Sequence, residues 1–131
     1  MWNNSFDGDG NPIREVSGWE LENGGVIVLP YDKNYIAKDG TYISFNDGLP
    51  IGLIKGKPAV AFKGSKYFIN THIHTHPQSY GLYPSGYSGG PDAALIRQLG
   101  RPIHILHKLN LYRVGVGKNG TFWNKNLGTW K

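Results

Sequence analysis

Thr71-His72-Ile73-His74-Thr75-His76-Pro77 sets three histidines at alternate positions and stops at a proline. Alternate positions on a strand point to one face, so His72, His74 and His76 are expected to look the same way. Downstream stands Ser88-Gly89-Gly90-Pro91-Asp92. Pro91 fits the first position of a helix, which puts Asp92 at a helix start, where negative charge is favoured. Two imidazoles and one carboxylate converging from a strand end and a helix start can bind zinc and leave its fourth position open. That is the catalytic type of zinc site, as opposed to the closed structural type.

Strand geometry separates the three histidines. Neighbours on one face stand ~7 Å apart, so one ion is shared by an adjacent pair and not by all three. His74 and His76 are nearest the strand end, where a loop and a helix can bring Asp92. His72 lies one step deeper and reads as a histidine satisfied by hydrogen bonds in or near the core. His104 and His107 read as ordinary hairpin residues.

The charge distribution draws the eye to the same place. Of nine acids, eight fall in residues 1–47, and Asp92 is the single acid after them. That second part holds eleven of the fourteen Lys and Arg. Such a basic stretch can attract nucleic acid or an acidic partner, although it more commonly forms a solvated surface.

Around the histidines the chain reads as strands and turns. Ala59-Val60-Ala61-Phe62 and Lys66-Tyr67-Phe68-Ile69-Asn70 flank a hairpin turn at Lys63-Gly64-Ser65, and the second strand runs on into the histidines. Upstream, Ile13 to Leu21 reads as a first strand. Asn23-Gly24-Gly25 is a hairpin signal, followed by a strand over residues 26–30. Asp39-Gly40 predicts a turn before a strand over residues 41–45, and residues 49–58 carry no clear pattern. Residues 77–90 form a loop rich in Gly, Ser and Tyr, of a length that is usually functional or mobile. Pro91 to Leu99 is the one good helix, with Gly100 placed to end it. Ile103–Leu106 and Leu111–Val114 form a last hairpin. Thr121-Phe122-Trp123 reads as a short strand and the remainder as a polar tail. The expectation is an α+β domain over residues 13–116, after a loose segment 1–12 and before a strand and tail at 117–131.

At 131 residues this is one domain with a sizeable core. Nineteen glycines and eight prolines make it turn-rich, and four Trp, eight Tyr and five Phe supply much of its apolar surface. The absence of cysteine excludes disulfides and thiolate metal sites. No apolar run approaches the ~20 residues of a membrane span. The polar, acidic start is unlike a secretory signal, so the expected location is the cytoplasm, or outside the cell as part of a larger exported protein.

Zinc-assisted amide hydrolysis also needs a group that moves protons between water and the leaving amine, and a carboxylate beside the metal serves. Glu15, Glu20, Glu22 and the early Asp residues are the candidates. Glu15 and Glu20 lie on the first predicted strand, which can neighbour the histidine strand in a sheet.

Glu15-Val16-Ser17-Gly18-Trp19, then His74-Thr75-His76-Pro77, then Ser88 and Asp92, together resemble the JAB/MPN (JAMM) metalloprotease pattern. That pattern runs Glu before a Gly-apolar strand, His-x-His-Pro, a loop, and Ser-x-x-Asp at a helix start. Residues 13–116 look most like the bacterial JAB-like domains at the C-termini of RHS-type and polymorphic-toxin proteins. The resemblance implies a curved mixed β-sheet with helical cover, reduced here to one clear short helix. It implies Zn2+ held by His74, His76 and Asp92, Glu15 as general acid/base, and Ser88 helping to hold the oxyanion. It further implies hydrolysis of a peptide or isopeptide bond in a peptide or protein substrate, as an effector or processing domain of a larger bacterial protein. The alternative is an inactive MPN-like scaffold that binds a partner through its basic, aromatic face.

Two departures stand out. Three residues, not two, separate Ser88 from Asp92, so Ser85 is a spare candidate. The loop from His76 to Ser88 is also longer than the common form, and Tyr80, Tyr83 and Tyr87 in it suit either a substrate lid or a flap on the sheet. Phosphoesterase and amidohydrolase barrels also begin with His-x-His, but they need further His and Asp ligands that the remaining residues do not supply.

Overall fold

The computed structural model describes residues 1–36, 42–43, 51–77 and 91–129, with residues 42, 43 and 91 described as backbone only. The predicted turn at Asp39-Gly40 and the loop with Ser85, Ser88 and its tyrosines lie outside the described residues. Among the described residues the chain is α+β, with a mixed sheet and one α-helix. A 3-10 turn at Asn3–Ser5 precedes strands β1 (Ser17–Leu21), β2 (Val26–Val28), β3 (Tyr35–Ile36), β4 (Tyr42–Ile43), β5 (Gly52–Ile54), β6 (Lys57–Phe62) and β7 (Ser65–Thr75). Helix α1 (Pro91–Leu99) then leads to β8 (Ile103–His107), β9 (Asn110–Val116) and β10 (Phe122–Thr129).

The histidine strand β7 is the spine. The main sheet runs β10-β9-β8-β7-β1-β2, with β6 paired to the first half of β7 and β5 to β6. All of these pairs are antiparallel except β7–β8, which is parallel because α1 carries the chain back to the other end of the sheet. β3 and β4 pair apart.

Directly opposed residues share a face, so the register tells which side the histidines take. Trp19 lies opposite His72 and Ser17 opposite His74, while Leu21 lies opposite Ile69. The register shifts between Glu20 and Leu21, leaving Asn70 as an extra residue, a β-bulge. Simple alternation would put Ile69 on the face opposite the histidines. The bulge resets the phase, so Ile69 packs into the core and the histidines continue that same face.

This face is covered by α1. Ile96 and Leu99 of the helix join Trp19, Leu21, Ile27, Leu29, Val60, Ile69, Ile103, Ile105 and Val114 in one buried cluster. Fully burying each aliphatic side chain contributes about 1.5–3 kcal/mol. Gly100, in the left-handed region at φ 67°, ends the helix with its N–H donating to the Ile96 carbonyl at 2.9 Å.

Three hairpins turn through two residues that both have positive φ: Lys55-Gly56, Lys63-Gly64 and Lys108-Leu109. Turns of this twist match that of the strands they join. Lys-Gly explains the first, which gives residues 49–58 the order their sequence pattern did not announce. The third has no glycine, and Leu109 sits at φ 64°.

Both ends of the chain are more ordered than expected. Ser5 is fully buried and its hydroxyl hydrogen-bonds that of Thr75 at 2.6 Å, so the N-terminal segment is tied to the spine. The predicted polar tail is largely strand: β10 pairs with β9 from Phe122↔Val116 to Thr129↔Asn110. Its asparagines and lysine are exposed on both faces of this outer strand. Trp123 lies over Gly115, occupying the space that a side chain there would fill. Among the described residues, no helix is long and apolar enough to cross a membrane.

Candidate metal centre

Glu15 precedes β1 instead of lying within it, yet its position follows from the β1–β7 register. Ser17 pairs with His74, the Thr75 amide donates to the Val16 carbonyl at 2.9 Å, and the Val16 amide donates to the Thr75 hydroxyl at 2.9 Å. One more step sets Glu15 across from His76. The segment is anchored on its other side too. The Arg14 guanidinium donates to the Tyr31 carbonyl, and the Asn34 amide donates to the Glu15 carbonyl.

Gly18 makes the approach of β2 possible. A Cβ at Gly18 would fall on the Ile27 carbonyl and within 3.3 Å of Val28 Cα, both backbone atoms that cannot swing away. The spacing Glu15-x-x-Gly18 therefore has a physical reading: glycine where the edge strand crowds β1, and glutamate where the same strand, extended backwards, meets the histidines.

His74 Nε2 and His76 Nε2 are 3.1 Å apart. Asp92 Oδ1 is 3.2 Å from His74 Nε2, and Asp92 Oδ2 is 3.3 Å from His76 Nε2. The helical stripe that buries Ile96 and Leu99 also carries Asp92, one turn before Ile96, so core packing aims the carboxylate at the imidazoles. Zinc–nitrogen and zinc–oxygen bonds of about 2.0–2.1 Å make the edge of a tetrahedral ligand shell roughly 3.3 Å. The His74–His76 separation matches that edge, and each Asp92 oxygen stands at about that distance from one of the two imidazoles. Glu15 belongs to the same group: its carboxylate, His74 and His76 offer ligand atoms that all lie within 4.8 Å of one another. The group Glu15, His74 and His76 can hold a metal ion, and Asp92 adds a second carboxylate to it.

Burial and charge tune these groups. Burial pushes the Glu15 carboxyl up, against the opposing pull of His74 and His76. Burial lowers His72 to about 3, helped by the charge on neighbouring His74. Burial alone would lower His74 as well, but the charge and hydrogen bond of Asp92, with Glu15 behind them, raise it to about 9. Burial likewise disfavours the Asp92 carboxylate, yet His74 and His76 hold it well below the usual carboxylate range.

The supports of the two imidazoles differ. His76 is fixed through its backbone: its amide donates to Leu106 at 2.9 Å, and its carbonyl accepts from His107 Nδ1 at 2.7 Å. His76 Nδ1 is buried with no hydrogen-bond partner among the described residues. His74 is fixed through its ring, with Nδ1 3.2 Å from Nδ1 of His72. His107, expected to be an ordinary hairpin residue, is thus buried support for the site. His104 is on the opposite face, where its Nδ1 hydrogen-bonds Glu20 and its Nε2 accepts from Arg113 Nε at 3.5 Å. The sequence held no local signal for either role, because both depend on the parallel pairing of β7 with β8. Comparison with known protein families, with curated proteins and with solved structures yields no match.

Proposed function

We propose that this chain is a zinc-dependent hydrolase of peptide or isopeptide bonds, of the JAB/MPN type. The observation that carries this reading is the convergence of His74 Nε2 and His76 Nε2, 3.1 Å apart, on the Asp92 carboxylate, whose Oδ1 and Oδ2 stand 3.2 and 3.3 Å from them respectively, with the half-buried Glu15 in the same group. The donor set, two imidazoles and carboxylate oxygen with no thiolate, suits zinc.

Zinc, when bound, supplies a Lewis acid that polarises a carbonyl and brings the pKa of water to about 7. The remaining work falls to the chain. His74, His76 and Asp92 hold the ion in place. Glu15, with its proton affinity raised by burial, takes a proton from the attacking water. It returns that proton to the leaving nitrogen as the carbon–nitrogen bond breaks. Ser88 takes the oxyanion-holding role by resemblance alone. The substrate is a peptide or a protein-linked amide, consistent with an effector or processing domain of a larger bacterial protein.

The test is a panel of peptide and isopeptide-linked substrates, offered to zinc-loaded wild type and to Glu15→Gln. Wild type should cleave at least one, and Glu15→Gln should carry the same zinc with turnover reduced about 10²–10⁴-fold. Equal turnover by both would remove Glu15 from the reaction.

A further inference from the structure

The alternation that places His74 and His76 on one face also places His72 there, one step too deep to reach the ion. Its ring nevertheless touches the site at second hand, with Nδ1 to Nδ1 of His74 at 3.2 Å. A neutral imidazole carries one N–H, and which nitrogen bears it depends on what the other nitrogen does. If His74 Nε2 gives its lone pair to a metal, the His74 proton must sit on Nδ1 and needs an acceptor. The facing atom is His72 Nδ1, which accepts only when the His72 proton sits on Nε2. The pair therefore has one self-consistent arrangement.

His72 is held where it can do this. The edge of Trp19 packs on its ring, with centroids 4.8 Å apart and planes at 78°. His72 and His74 are two residues apart on a continuous strand, flanked by β1. No backbone carbonyl or carboxylate takes the place of His72 on His74 Nδ1 among the described hydrogen bonds. The other imidazole ligand, His76, has no Nδ1 partner among the described residues, and its backbone amide and carbonyl are both hydrogen-bonded. Beyond the metal-facing Nε2 side, the His74–His72 contact is the ring contact made at either Nδ1 among the described residues.

We infer that His72 is a positioning residue for the metal site, an imidazole that fixes the tautomer and ring orientation of His74 by accepting its Nδ1–H. This rests on the metal reading above. Partners of this outer kind commonly alter metal affinity 10–100-fold when removed.

The experiment compares zinc affinity, by competition with a chromophoric chelator, for wild type, His72→Leu and His72→Asn. Asparagine can present an oxygen near the position of His72 Nδ1, and leucine cannot. The expected result is a 10–100-fold loss for His72→Leu and recovery of most of that loss in His72→Asn. Equal affinity of wild type and His72→Leu, or equal losses in both variants, would overturn the inference while leaving the site itself standing. Absence of zinc binding by wild type would instead overturn the metal reading and this inference with it. A measurement on zinc-loaded wild type needs no variant: 15N-resolved NMR of the imidazoles should show His74 protonated on Nδ1 and His72 on Nε2. His72 protonated on Nδ1 would overturn the inference.

Discussion

Gly18→Ala is the substitution whose consequence follows most directly from the geometry. Its new Cβ would fall inside contact distance of the Ile27 carbonyl oxygen, 3.2 Å from the carbonyl carbon and 3.3 Å from Val28 Cα. All three are backbone atoms, so the strand itself must yield. Gly18 faces Val28, and the hydrogen-bonded positions lie on either side: the Leu29 amide donates to the Ser17 carbonyl at 2.9 Å, and Trp19 faces Ile27. Moving β2 outward weakens both connections, at about 1 kcal/mol each. It also begins to uncover Ile27 and Leu29, which are core residues. The expected loss is about 2–3 kcal/mol, well above the ±0.5 kcal/mol of an ordinary surface change. For a domain of this size that corresponds to roughly a 10 °C fall in Tm. The assay is thermal and urea unfolding with chelator present, so that metal binding does not contribute to the apparent stability. Stability within 0.5 kcal/mol of wild type would refute the argument that Gly18 exists to admit β2.

Further predictions concern the site and one turn. Asp92→Asn should weaken zinc binding at least tenfold while Glu15→Gln leaves it nearly unchanged; the reverse order, measured by the same titration, would make Glu15 the ligand. For the metal-free protein, His74 is raised from 6.5 to about 9, so its contribution is complete below pH 6.5 and is lost as pH rises through 9. His72 is lowered from 6.5 to about 3, so its contribution is complete above pH 6.5 and is lost as pH falls through 3. Glu15, raised above 4.5, adds a loss that begins as pH rises above 4.5, and Asp92, lowered below 3.8, adds to the acid loss. Urea unfolding with chelator should therefore give lower stability at pH 9 than at pH 6.5, and a flat or rising profile there would contradict these environments. Leu109→Gly should stabilise the protein by about 0.5–1 kcal/mol. The left-handed conformation costs leucine about 1–2 kcal/mol, and glycine recovers part of it after its own entropic cost. Leu109 is half-exposed, so little burial is lost; unchanged or lower Tm would count against strain in this turn.

The sequence announced those parts of the molecule that depend on local pattern. The His-x-His strand, the helix between Pro91 and Gly100, and the Lys63-Gly64 turn were each legible because period, proline and glycine carry them. So was the convergence of His74, His76 and Asp92, since strand alternation and a helix start fix two directions that meet. Features set by tertiary pairing were not legible, as three more show. The Asn70 bulge has no residue signature, yet it decides that Ile69 and the histidines share a face. The length of β10 was hidden by asparagine, lysine and glycine, which are poor strand formers and are held here by pairing with β9. His72 read as a histidine satisfied by hydrogen bonds in or near the core; it is half-buried and hydrogen-bonds His74, and the direction of its Nδ1 depends on side-chain geometry that spacing does not encode.

The central claim is that His74, His76 and Asp92 hold one metal ion. The most direct measurement is zinc content by elemental analysis of protein purified without chelator, then dialysed against zinc and again against buffer, beside a His74→Ala, His76→Ala double variant. The account predicts about one zinc per chain in wild type and none retained in the variant. Wild type that retains no zinc, or a variant that retains as much, would contradict it.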